Sequence, residues 1–385
     1  MLYYIYKNVQ CIIVSLFVDA IDFMVGIKKY PPVPTNYKPY VTVLVPAYNE
    51  EAVIRDTLES LAQQTYKNIR EIIVIDDCSS DRTSEIAKEL GATVVKTPQN
   101  TGTKSRAQNY AIPFVKTPVF VTIDADTTLD PRAIDRIIPF LYDGQTLSAC
   151  GFVIPQVIRT FWERARTAEY LYGLGLFKSA QEHVSMPLVS SGCFSAFNLK
   201  LFKNAGMFPE NNIAEDMALT WKAHLMGYKI KYVSDAICYP KEPATWVQYK
   251  GQLTRWYRGF FQCISDYKTS LLRNPKLAAF VLFYLIMGLI SPLWLFFAIW
   301  YGYLIASGGT PSLFSLAVIG VFLVDVVVGY TTTIIKGKQT NKLIEAVTGY
   351  PLLWLISPLN SCLFLYSMAQ EWLMKNKLTN WEKGH

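Results

Sequence analysis

The hydrophobic pattern divides this chain into an alternating middle and apolar ends. Between Tyr40 and Pro240, VTVLVP reads as a buried strand, Glu51 to Gln64 as a helix, EIIVID as a strand and Ser80 to Leu90 as a helix. ATVVK, a helix from Thr103 to Phe114 and PVFVTID continue the series. Strand, helix, strand at this spacing predicts a parallel sheet in an α/β domain. Toward the C-terminus, Leu277 to Ile305 carries no charge, longer than the roughly 20 residues a spanning helix needs. Leu313 to Ile335 is a second such segment, with Asp325 its only charge. Val347 to Leu373 is a third, and its Pro351 and Pro358 predict a kinked span or a re-entrant path. Tyr4 to Ile27 reads as a spanning or an interfacial helix, because Asp19 and Asp22 sit within it; no small-residue cleavage site follows, so the anchor is expected to stay.

Between the two regimes, Trp246, Tyr249, Leu253, Tyr257, Phe260 and Ile264 recur at steps of three and four, while Lys250, Arg258 and Lys268 add positive charge. A basic helix with an aromatic stripe predicts a membrane-interface location, and Gln252, Arg255 and Gly259 fall off the stripe with Trp256 at its boundary. The expected organisation is an N-terminal helix over 1–29, an α/β domain over 38–243, interface helices over 244–276, about three spanning helices over 277–374 and a tail over 375–385.

Charge orients this scheme. Lys28, Lys29 and Lys38 follow the first apolar segment, and Lys336, Lys338 and Lys342 lie between the second and third C-terminal ones. The positive-inside rule then places the middle region in the cytoplasm of an integral protein of the cell (plasma) membrane. A net charge of +7 needs no nucleic acid partner, since membrane lipid headgroups and an anionic substrate account for it. The seven cysteines form no C-x-x-C pair, which reads as reduced thiols. His183, His224 and His385 form no ligand-like cluster.

Ligands of α/β sheets bind beyond the carboxyl ends of the strands, and three such ends are acidic here: AYNEE, DDCSSD and DADT. Asp81 alone would be a helix N-cap. Several carboxylates on one edge repel unless cations or donors are recruited. Asp124 and Asp126 flank one alanine, and a hard divalent cation that keeps phosphate oxygens in its shell needs only one or two such groups. NTGTKSRAQN adds Lys104 and Arg106, but G-x-x-x-x-G-K-[ST] is missing and a P-loop is rejected. YGLGLF reads as small residues in helix packing, and SSGCFSAF as a small-residue turn that lets backbone approach a ligand. In AEDMAL, Glu215 and Asp216 open a helix; such acids ordinarily complement its dipole.

Taken in order, VPAYNEE, DDCSSD, DAD, SGCFSAF, AEDMAL and QLTRW resemble the membrane-embedded family 2 glycosyltransferases, with a Rossmann-like GT-A domain. That group includes hyaluronan, chitin, chitooligosaccharide, poly-N-acetylglucosamine and cellulose synthases, and the resemblance covers about Tyr40 to Gln262. It implies a uridine pocket from Ala47, Tyr48, Glu50, Asp77 and Lys104, donor binding by Asp124, and a Mg2+ or Mn2+ ligand in Asp126. It further implies Asp216 as general base and substrate contacts from Gln252, Arg255 and Trp256, with Arg255 at the diphosphate and Trp256 under the acceptor sugar. Two positions depart from the pattern: Thr103 intervenes between Gly102 and Lys104, and Cys78 replaces a glycine.

The chemistry agrees with those roles. A divalent cation and a guanidinium stabilise charge growing on a leaving diphosphate, while a carboxylate opposite takes the proton of the acceptor hydroxyl and one displacement inverts the anomeric centre. The expected function is inverting transfer from a UDP-sugar, UDP-N-acetylglucosamine first, to a growing glycan. Transfer of one sugar to a polyprenyl phosphate or glycolipid is the alternative, and a non-catalytic nucleotide-sensing scaffold or transporter a remote one. Oligomeric state, product length and translocation stay open.

Overall fold

The computed structural model describes residues 34, 36–308, 310 and 312–379; the expected N-terminal helix and the end of the tail lie outside them. Eight strands form one sheet: β1 (Val41–Ala47), β2 (Ile69–Asp76), β3 (Thr93–Lys96), β4 (Val119–Ile123), β5 (Thr127–Leu129), β6 (Thr146–Val153), β7 (Phe194–Asn198) and β8 (Lys229–Pro240). Their order is β3-β2-β1-β4-β7-β6-β8-β5. Val43 and Val45 of β1 face the helices Ile54–Ala62, Thr83–Glu89 and Ala133–Ile137. Leu44 joins the opposite layer, with the helices Lys104–Ala111, Leu199–Asn204 and Glu215–Leu225. Burial on both faces explains why these strands read as continuous apolar runs.

β1 through β4 pair in parallel, as the alternation predicts. The sheet as a whole is mixed, which corrects the expectation of a parallel one: β7 runs antiparallel to β4 and β6, and β5 antiparallel to β8. The reversal has a positional consequence. Phe194 pairs with Ile123, and Asp124 N donates to Cys193 O at 3.2 Å. The turn before β7 therefore arrives at the same edge as the carboxyl ends of β1, β2 and β4.

Two local departures from the family pattern have backbone explanations. Thr103 is the N-cap of the helix Lys104–Ala111, accepting from Arg106 N at 3.4 Å, and so places Lys104 in its first turn. Cys78 occupies a left-handed conformation, φ 62°, in the position where the family has the glycine that tolerates it.

Helices Pro275–Ala306, Leu313–Gln339 and Leu343–Met368 occupy the three C-terminal apolar segments. Pro351 and Pro358 lie inside a continuous helix, so the third segment takes no re-entrant path. Leu343–Leu373, 31 residues, is long and apolar enough to cross a membrane, and Pro275–Ile290 is a shorter apolar helix. Gly349 lets the third helix dock on the helix Phe161–Tyr172: a Cβ there would lie 2.9 Å from Arg164 O and 3.2 Å from Ala168 Cβ.

QLTRW sits in a single 26-residue helix, Trp246–Leu271, opened by a capping box between Thr245 and Gln248. Its basic face is less basic than the pattern suggests. Arg258, expected among the surface charges, is buried and donates from Nε to Glu371 Oε1 at 2.7 Å. An isolated buried guanidinium would be costly, and the distant acid that makes burial tolerable is invisible to helical periodicity.

Candidate active site

A cavity of about 1070 Å³ opens along the carboxyl edge of the sheet. Its walls include Ala47, Tyr48, Glu50, Asp77, Lys104, Asp124, Asp126, Asp216, Gln252, Arg255 and Trp256, the residues to which the family resemblance gives a site role, while Asp81 and Arg106 lie outside it. The same space continues to Tyr284 and Tyr366 on the first and third apolar helices.

Backbone-to-side-chain bonds lock the loops after β1 and β2 together. Asn49 N donates to Ser79 Oγ at 3.0 Å, Glu50 N to Thr83 Oγ1 at 2.7 Å and Glu51 N to Asp81 Oδ2 at 3.0 Å. Asp81 also accepts from Thr83 N at 3.0 Å, so it serves the turn entering the next helix. Asp77 is turned inward. Its carboxylate accepts from Thr97 Oγ1 at 2.8 Å, Thr101 N at 2.9 Å and Thr101 Oγ1 at 2.8 Å, ordering the loop that leads to Lys104.

Lys104 and Asp216 meet through Gly192. Lys104 forms an ion pair with Asp124 and donates to Gly192 O at 2.9 Å. Gly192 N donates to Asp216 Oδ2 at 2.9 Å, while Met217 N donates to Oδ1 at 2.7 Å. A Cβ on residue 192 would lie 3.2 Å from Asp216 Oδ2 and 3.4 Å from Lys104 Nζ. The close approach read from SSGCFSAF is therefore to two side chains of the protein itself. Burial opposes the Lys104 charge, but Asp124, Glu215 and Asp216 outweigh it and raise its pKa. Arg255 lies within electrostatic reach of Asp124 and Glu215.

Glu215 is a group whose role in the site the sequence reading left unassigned. Burial pushes it up to about 7, with Lys104 opposing and Asp216 adding to the rise. In the unfolded chain it ionises near 4.5, so this carboxyl favours folding least once the pH exceeds about 7, and the loss accumulates between those values. Glu215→Gln is neutral throughout. Its melting temperature relative to wild type is expected to rise between about pH 5 and about pH 8, and a pH-independent difference would contradict this.

The QLTRW helix also braces the helix that carries Asp216. Gln262 Oε1 accepts from Ile213 N at 3.1 Å, and Asn212 Nδ2 donates to Asp266 Oδ2 at 3.1 Å. Gly259 touches the same loop: a Cβ would fall 2.3 Å from Ala214 Cβ and 3.1 Å from Ala214 N. Gly259→Ala is thus expected to cost about 1–3 kcal/mol and to lower transfer, with partial recovery of melting temperature in the Gly259→Ala, Ala214→Gly double variant.

Arg166, Glu169 and Glu242 were also missed. Arg166 Nη2 donates to Gln252 Oε1 at 2.7 Å, and Gln252 Nε2 donates to Glu242 Oε2 at 3.1 Å. Gln252 therefore bonds within the protein although it lines the cavity. Charged residues inside the helix pattern ERARTAEYLY were the available signal, since they interrupt an otherwise packed face.

The fold has a counterpart among solved structures. It is similar to that of the mannosyltransferase PcManGT from Pyrobaculum calidifontis, solved in complex with GDP-Man and Mn2+, with a TM-score of 0.57 at 20% identity over 92% of this chain and 99% of that one. The α/β fold is GT-A-like, and with the family-model match and the relatives that follow, the protein is a glycosyltransferase. Residues 42–205 match the model described as Glycosyl transferase family 2, so the chain carries a domain of that family. It is 27% identical over 304 residues to the poly-beta-1,6-N-acetyl-D-glucosamine synthase of Staphylococcus aureus (strain COL), covering 78% of this chain and 73% of the relative. The synthase of the same description from Staphylococcus epidermidis is 30% identical over 249 residues, covering 63% and 60%.

Proposed function

We propose that the protein elongates an N-acetylglucosamine glycan from UDP-N-acetylglucosamine, with inversion, at the cytoplasmic face of the cell membrane. The observation that carries this reading is the single cavity in which Asp216 shares space with Asp124, Asp126, Lys104 and the QLTRW side chains. The sugar assignment is supported by the relatives, both described as poly-beta-1,6-N-acetyl-D-glucosamine synthases. The apolar helix Leu343–Leu373 supports the membrane setting.

The donor set suits Mg2+ or Mn2+. Among the described residues no cluster of three or more His, Cys, Asp or Glu could hold a metal alone. A hard cation held by one or two carboxylates plus phosphate oxygens needs no such cluster, and Asp126, with Asp124 engaged by Lys104, offers that minimum. When bound, the cation supplies charge neutralisation at the diphosphate. The chain's own groups do the rest: Lys104 and Arg255 contribute positive charge to the donor side, and Asp216 accepts the proton of the acceptor hydroxyl. Two backbone N–H donors keep its carboxylate aimed. Trp256 offers its indole to the acceptor sugar.

Membrane preparations given a panel of UDP-sugars with Mg2+ or Mn2+, followed by sizing of the product, test the proposal. A polymer formed from UDP-N-acetylglucosamine is expected. A single sugar attached to lipid would replace this reading with the lipid-acceptor one, and no UDP release from any donor would end both. Trp256→Ala is expected to shorten the product; unchanged length would remove Trp256 from the acceptor site.

A further inference from the structure

Behind Trp256 lies a buried cage of charged groups that the proposed mechanism does not use. Arg166, only 2% exposed, holds its guanidinium carbon 5.0 Å from the centre of the Trp256 ring and 4.5 Å from that of Tyr249. The same guanidinium donates to Gln252 and, from Nη1, to Glu169 Oε2 at 2.6 Å. Its Nε lies 3.6 Å from Glu242 Oε2, and Glu242 Oε1 accepts from Tyr170 OH at 2.7 Å. Glu169 Oε1 accepts from Asn360 Nδ2 at 2.7 Å, which brings the third apolar helix into the cage, and Tyr249 OH donates to Asn360 Oδ1 at 3.0 Å.

A cage like this does not earn its place through stability alone. Buried ion pairs contribute little relative to apolar packing of equal volume, because desolvation offsets their attraction. What distinguishes Arg166 is where its flat group goes. It bonds one residue of the Q-x-x-R-W element and lies over the ring of another, both of which line the cavity. A planar guanidinium sets a flat face over a ring while its edge N–H groups donate in a fixed fork, a geometry that an ammonium lacks.

We propose that Arg166 is a positioning residue for the acceptor: it fixes the plane of the Trp256 indole and the rotamer of Gln252, so that the cavity-lining ring is preset for a sugar. The inference rests on the reading that Trp256 carries the acceptor. It also gives the third apolar helix a direct physical link, through Asn360 and Glu169, to the acceptor end of the site.

Arg166→Lys and Arg166→Met separate positioning from folding. The lysine variant keeps a cation between Glu169 and Glu242, so its melting temperature is expected to stay near wild type. The methionine variant leaves the buried Glu242 and the part-buried Glu169 without their cation and is expected to melt lower. Both are expected to raise the acceptor KM about tenfold, measured with short oligomers of the identified product, to shorten the polymer, and to change the donor KM far less. Wild-type acceptor KM and product length in Arg166→Lys would overturn the inference. So would equal rises in donor and acceptor KM that track melting temperature, since these describe a structural residue. Trp256→Ala, run alongside, keeps the two ideas apart. If it leaves product length unchanged, the acceptor reading itself fails; if it shortens the product and Arg166→Lys does not, only the role of Arg166 fails.

Discussion

Asp216→Asn is expected to lower sugar transfer about 10³-fold while changing UDP affinity by no more than about threefold. The amide keeps the size of the carboxylate and can retain one of its two backbone bonds, from Gly192 N or Met217 N. It cannot take a proton. A rate measured with saturating donor, beside UDP binding by titration calorimetry, separates the two effects. The adjacent Glu215 is the competitor, because burial raises its pKa to about 7 and so makes it a plausible proton acceptor by energy alone. Geometry favours Asp216: its carboxylate is tied to Gly192, whose carbonyl accepts from Lys104 beside Asp124. Retained transfer in Asp216→Asn together with loss in Glu215→Gln would reassign the base.

Asp126→Asn is expected to lower transfer by about 10²–10³-fold and to raise the Mg2+ or Mn2+ concentration needed for half-maximal rate. Asp126 lines the cavity next to Asp124, which is paired with Lys104, and is the acid proposed to ligate a cation brought in with the diphosphate. Chelation of wild type is expected to abolish transfer, and added Mn2+ to restore it. Full activity in chelator would contradict a metal role, and an unchanged metal dependence in Asp126→Asn would move that role to another ligand.

Much of the site was legible in the chain because its chemistry lies at the ends of strands. Burial on both faces makes β1, β4 and the second half of β2 near-continuous apolar runs, so the acidic residues at their ends stand out as edge residues, and Asp77, Asp124 and Asp126 were picked out that way. Lys104 was found despite the extra Thr103, whose capping role became clear only from its bond to Arg106 N. Gly192 was legible as a close-approach position but its neighbours were not, since Lys104 and Asp216 come from separate elements. Arg166, Glu169, Glu242 and Asn360 carry no local signal that they form one cage.

The sequence by itself determined an alternating α/β domain, acidic strand ends, an acid-headed helix and an aromatic, basic helix leading into apolar segments. All of these follow from periodicity and from the change of polarity at element ends, which are local properties. The tertiary structure alone decided that β7 enters antiparallel and delivers Gly192 between Lys104 and Asp216, that Arg258 is buried against Glu371, and that Arg166 lies over the Trp256 ring. Each is a contact between segments far apart in the chain, and its partner is selected by packing and by the cost of leaving a buried charge unpaired.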